Sequence, residues 1–227
     1  MAASNPAPPV ALSFEAIDDL IYDARLGDID ALKQDIAKLS TENHASASSI
    51  IRSAVDTEDE NEGGTGACLL HWPAANGNVE LLNYILQTLN SEVSPSSQDY
   101  TAFLNHRNYT GNTPLHWAAL NTHLDCVKAL VEAGADISLK NDAGHDALFL
   151  AERADWSAAN DDDEDDKEDE QQNGTTEMEI EIKEGQDKQD GEEKPAPPPT
   201  KARQVVEWLL GCDKGAGFEA PSAGTSN

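Results

Sequence analysis

An all-α solenoid of about four stacked helix-turn-helix repeats, with a long disordered acidic loop in the last one, is the fold class this sequence predicts. Three observations predict it. The segment TGNTPLHWAALN (110–121) recurs 33 residues later as AGHDALFLAERA (143–154) and 45 residues earlier as TGACLLHWPAAN (65–76). Apolar residues after each copy return at helical spacing, and the best-written unit, 111–141, turns on Gly134. A single unit of this size leaves its apolar stripe uncovered, so the copies must stack.

The elements follow in chain order. Residues 1–12 read as a disordered lead, with neither the charge nor the apolar core of a signal peptide. The first repeat, 13–62, is built on LIYDARLGDIDALKQDI (20–36), whose LGDIDAL aligns with NGNVELL (76–82). The second, 65–109, exceeds the 33-residue period by 12, which fits an insertion at TLNSEVSPSSQDY (88–100). The third is 110–142, and 143–157 is the first part of the fourth. An acidic disordered loop is expected over 158–200, a helix over 201–211 and a disordered tail over 212–227. That last helix either completes the fourth repeat, with Val206, Leu209 and Leu210 on the register of Val127, Leu130 and Val131, or stands as a free amphipathic segment.

The third unit is written most fully. Thr113 offers a hydroxyl to cap its first helix, and Pro114 sits where a missing N–H costs nothing. Leu115 and Ala118 face the neighbouring unit, and Ala119 permits close helix approach. Leu124, Val127, Leu130 and Val131 form the stripe of the second helix. In the second unit Pro73 occupies the Ala118 position, so a kink is expected there.

Charge narrows the function. The chain carries 43 Asp/Glu against 15 Lys/Arg, a net of −28. Residues 160–194 hold 17 acids and 4 lysines, a net of −13, which leaves −15 elsewhere. Direct binding to nucleic-acid phosphates is therefore disfavoured and a basic protein is the natural complement. The run DDDEDDKEDE (161–170) holds nine carboxylates, so charge recurs about every 4 Å along an extended chain, close to the spacing on a nucleic-acid strand. Either it merely solubilises the chain or it screens a basic partner. Three scattered cysteines, Cys68, Cys126 and Cys212, suit a reducing compartment, and no apolar run approaches a membrane span. No metal-ligand spacing, phosphate loop or nucleophile elbow is present, so neither an enzyme nor a cofactor is expected.

Thr113, Pro114, Leu115, His116, Ala118 and Ala119, followed by Gly134-Ala135-Asp136, resemble the ankyrin repeat and its T-P-L-H-x-A mark. The resemblance implies that His71 and His116 fix turns by hydrogen bonding rather than bind metal. It also implies partner binding through loop tips and the inner helix face. The candidates there are Trp72, Tyr109, Asn112, Trp117, Leu120, Asn121, Asp142, His145, Arg153 and Trp156, and the acidic run adds Asp161, Asp162, Asp163, Glu164, Asp165 and Asp166. Trp72 and Trp117 either fill core gaps or reach the surface as anchors.

YDARLGDIDALK (22–33), GNTPLHWAAL and NDAGHDALFLAE (141–152) are similar to a narrower group, the fungal ankyrin-repeat chaperones dedicated to small-subunit ribosomal protein S-three. That likeness covers roughly 17–155. It implies a monomer that pairs with this basic client, keeps it soluble and escorts it from cytoplasm to nucleus for ribosome assembly, without contacting membrane or nucleic acid itself. A general ankyrin adaptor of a signalling or transcription protein, or a histone chaperone, is the alternative.

Overall fold

The computed structural model describes residues 9–160 and 199–214. The lead up to residue 8, the acidic segment 161–198 and the tail from 215 lie outside them, and so do the candidates Asp161 to Asp166.

Ten α-helices form among the described residues: α1 Phe14–Leu26, α2 Ile29–Asn43, α3 Ala47–Ser53, α4 His71–Asn76, α5 Val79–Glu92, α6 Gln98–Leu104, α7 Pro114–Leu120, α8 Leu124–Glu132, α9 Ala147–Asn160 and α10 Lys201–Lys214. They make two layers. In the first, α1 packs on α4, α4 on α7 and α7 on α9; in the second, α5 packs on α8 and α8 on α10. Pairs α1/α2, α4/α5, α7/α8 and α9/α10 bridge the layers. Leu20, Leu70, Leu115, Leu32, Leu81, Leu82, Val127 and Leu130 form one continuous core, each at most 1% exposed.

Two helices were not anticipated. The insertion in the second repeat folds as α6, which buries Tyr100, Phe103 and Leu104. α3 packs against both α2 and α5 and joins them, burying Ile50 and Ile51. Its N-terminus is held by Glu92, whose carboxylate accepts from the Ser48 amide at 3.2 Å and the Ser48 hydroxyl at 2.5 Å. Short apolar runs such as SSII carry no period long enough to declare a helix.

The kink expected at Pro73 does not follow. α4 begins only at His71, so Pro73 lies in its first turn, where an N–H has no intrahelical acceptor to lose. The Pro73 carbonyl instead accepts from the Asn78 amide at 2.9 Å. Two of the cysteines are buried: Cys126 lies in α8, whereas Cys68 precedes α4 in an isolated bridge to Val55.

Three first-layer helices end at matching positions. Gly27 and Gly77 close α1 and α4 at φ 74° and 72°. The corresponding residue after α7 is Thr122, held at φ 59°. A β-branched side chain there is strained where the glycines are not.

Residues 201–214 form α10, which packs on α9 and α8 and buries Val205, Val206 and Leu209. Its entry is tied to α9 by the Thr200 hydroxyl, which donates to Asp155 Oδ1 at 2.5 Å.

Candidate protein-binding face

Two buried histidines pin the first layer. His116 Nε2 lies 3.1 Å from the His145 carbonyl, which only accepts, so Nε2 carries the proton. Nδ1 is then the acceptor for the Thr113 amide at 3.2 Å and the Thr113 hydroxyl at 2.8 Å, within a capping box. His71 repeats the pattern: Nε2 donates to the Asn112 carbonyl at 3.0 Å, and Nδ1 accepts from the Cys68 amide at 3.2 Å. Each ring therefore joins one repeat to the loop of the next. Burial lowers His116 and holds His71 down to about 3, so both stay neutral. Burial pushes the Cys68 thiol up to about 12, which makes the Cys68–His71 contact chemically inert.

The loops use a second repeated device. Asn108 Oδ1 accepts from the Thr110 and Asn112 amides, and Asn141 Oδ1 from the Ala143 and His145 amides. Asn141 Nδ2 donates across to Asn112 Oδ1 at 2.8 Å. Arg107 spans the same two loops, donating to the Lys140 carbonyl at 2.7 Å and to Asp142 Oδ1 at 3.0 Å. The Tyr109 hydroxyl donates to the Glu58 carbonyl at 2.9 Å. Four tip candidates, Tyr109, Asn112, Asp142 and His145, thus hold the loops in place through their side chains or main chain.

On the first-helix layer, the Trp72 and Trp117 rings meet edge to face with centroids 5.2 Å apart. Trp117 also meets His71 edge to face at 5.0 Å. Both indoles are half-buried. Trp72 Nε1–H is sealed without an acceptor among the described residues, and the exposed Arg25 places its guanidinium 3.9 Å from the Trp72 ring centroid. α4 and α7 contain no charged residue at all. Beyond them lie the exposed Leu120 at the end of α7 and Asn121 just after it, and Arg153 and Trp156 on α9, Trp156 being 74% exposed.

The face extends to residues that the sequence reading passed over. Tyr22 (60% exposed) and Leu26 lie on α1, and Phe149 on α9 stacks on His145 with centroids 4.1 Å apart. A signal existed for two of them. Tyr22 falls at the repeat position of Trp72 and Trp117, and Phe149 follows His116 by 33 residues.

Acid gathers at the ends of this layer. The loop between α3 and α4 carries Asp56, Glu58, Asp59, Glu60 and Glu62. On α1, Asp23 is 8% exposed, with Oδ2 lacking a donor among the described residues. Burial, together with the carboxylates of Asp35, Asp28 and Asp19, raises it to about 6. α4 and α7 thus give the face an aromatic, uncharged strip on which Arg25 rests, and the loop between α3 and α4 is acidic, so the face is not a uniformly negative hollow. Among the described residues no group of three or more His, Cys, Asp or Glu could hold a metal ion, and no helix is long and apolar enough to cross a membrane.

Known proteins resemble this chain. A family model for ankyrin repeats matches three copies over residues 20–141. The chain is 38% identical over 144 residues to the ankyrin repeat-containing protein YAR1 of Saccharomyces cerevisiae, covering 63% of this chain and 65% of the relative. It is 35% identical over 69 residues to ankyrin repeat-containing protein P1E11.10 of Schizosaccharomyces pombe, covering 30% and 29%. A match to palmitoyltransferase AKR1 of Candida albicans, 32% identical, covers 39% of this chain and only 10% of that protein. Among solved structures, the yeast ribosomal protein Rps3 in complex with its chaperone Yar1 is similar at 36% identity and a TM-score of 0.54, covering 70% of this chain and all of the matched one.

Proposed function

The chain belongs to the ankyrin-repeat family, and we propose that it is a dedicated chaperone of a newly made basic ribosomal protein, the small-subunit protein corresponding to yeast Rps3. The observation that carries this reading is the likeness to the Rps3-bound chaperone, which runs through the whole of the matched chain. The first-helix face supports it physically. A client segment lays apolar groups against Trp72, Trp117, Leu120, Phe149 and Trp156, while its lysines and arginines meet carboxylates at the edges. The carboxylates of 161–170 add screening of the client's RNA-binding surface. Ribosomal RNA, with its similar charge spacing, then takes the client over. The role is one of binding rather than catalysis, and it places the protein in cytoplasm and nucleus with its client.

The test is co-expression of the tagged protein with Rps3, recovery of the pair, and challenge with ribosomal RNA. A soluble one-to-one complex released by RNA supports the reading. Comparable recovery of core histones, or of a signalling protein indifferent to RNA, overturns it. Removing 158–200 should flatten the dependence of affinity on salt, and an unchanged slope removes the acidic segment from the mechanism.

A further inference from the structure

We propose that the face of the Trp72 indole is a guanidinium-binding subsite, held in the free protein by the chain's own Arg25 and taken over by an arginine of the bound client. The inference rests on the client-binding reading above.

The occupant already present defines the chemistry. Arg25 ends α1 with its guanidinium 3.9 Å from the Trp72 ring centroid. α1 also carries Glu15, Asp18, Asp19 and Asp23, in a chain with nearly three acids for every base. Arg25 nevertheless makes no ion pair among the described residues. A guanidinium that rests on an indole, in a chain this rich in carboxylates, marks that ring face as a cation site.

The platform is rigid. Trp72 is braced edge-on by Trp117, which is braced in turn by His71, and both nitrogens of that imidazole are committed. An incoming cation therefore meets a ring that needs no ordering. No charged residue of α4 or α7 competes for it. The planar guanidinium stacks on such a face where a compact ammonium does not, so the subsite favours arginine over lysine.

Exchange is mechanically simple. The Arg25 carbonyl is held by Asn76 Nδ2 at 3.0 Å, so the α1 backbone stays docked on α4 while the exposed side chain swings away. Arg25 thus shields the indole from solvent in the free protein and competes with the client for it.

The test titrates yeast Rps3 into the full chain and its variants, each checked for a native thermal melt. Removing the competitor in Arg25→Ala should tighten binding about two- to five-fold. Trp72→Leu should weaken it about ten-fold, and the milder Trp72→Phe should fall between if leucine disturbs the fold. In Arg25→Ala/Trp72→Leu the gain should vanish. A gain that survives without the indole, or an Arg25→Ala variant that binds no tighter than the parent, overturns the subsite while leaving the chaperone reading intact. If Rps3 does not bind at all, the chaperone reading fails first. The subsite is then read in Arg25→Ala from the Trp72 indole N–H resonance, titrated with N-acetylarginine amide and N-acetyllysine amide. A shift confined to the arginine probe supports it, and equal or absent shifts overturn it.

Discussion

The third repeat and the first share one architecture but handle buried polar groups in opposite ways. In the third, His116 meets Thr113 and the His145 carbonyl, and every ring nitrogen is used. In the first, Asp23 occupies the register of Pro73 and Ala118, carries an unpartnered oxygen, and faces the Asp35, Asp28 and Asp19 carboxylates. The third repeat spends its polar residues on stacking, whereas the first stores electrostatic strain. Such strain at one end of a solenoid is tolerable because each repeat touches only its neighbours.

The largest expected effect breaks the well-made side. His116→Ala leaves the His145 carbonyl and the Thr113 amide without partners in a buried setting and should cost roughly 4 kcal/mol in urea unfolding. A change under 1 kcal/mol would show that the histidine does not tie the repeats together. Close behind, Leu209→Ala opens a cavity where α10 is buried and should cost about 3 kcal/mol. It should also remove amide-exchange protection over 205–209, and protection that is absent in the parent would place α10 outside the stack.

The strained side should respond with the opposite sign. The folded Asp23 carboxyl is raised above its unfolded value of 3.8 to about 6, so the fold favours the protonated form. Its contribution is fully present below the unfolded value and lost as pH rises through about 6. Asp23→Asn should therefore stabilise the chain at pH 7.5, by at most about 3 kcal/mol, and the gain should shrink toward zero near pH 4. The depressed histidines run the other way: their stabilisation is present above 6.5 and declines as pH falls toward about 3 for His71. Between pH 6.5 and 4, amide protection, taken relative to the unstructured-chain exchange rate at each pH, should fall in α4 and α7 and rise in α1. Parallel changes in both regions would abolish the contrast.

The smallest effect concerns the αL turn. Thr122→Gly relieves a side chain held at φ 59° but frees the unfolded chain, so a gain of about 0.5–1 kcal/mol in thermal unfolding is expected. A loss would mean that the threonine hydroxyl or methyl contributes more than the strain removes.

Reading the repeats from sequence worked because their signals are local. The T-P-L-H spelling, the helical stripe through Val127 and Leu130, and the turn at Gly134 each depend on residues within one turn or one helix. α3 and α6 carry no such signal: they are seven residues each, and packing against α2 and α5 or burial of Tyr100 and Phe103 makes them stable. The candidate face divides the same way. Trp72 and Trp117 stood out by repeating after the motif histidine, while Tyr22, Leu26 and Arg25 lie in a degenerate copy where register alone would reveal them. Tyr109, Asn112 and Asp142 look like free tip residues in the chain, and only folding brings them to the partners that hold them.

The amino-acid order by itself determined the repeat length, the helix pairs of the central units and the excess of acid, because period, capping and charge are properties of neighbouring residues. The tertiary structure alone decided which polar groups are spent internally and which face outward. It set Arg25 on an indole 47 residues away and sealed Asp23 among other carboxylates, since burial and partner choice arise only when distant segments share space.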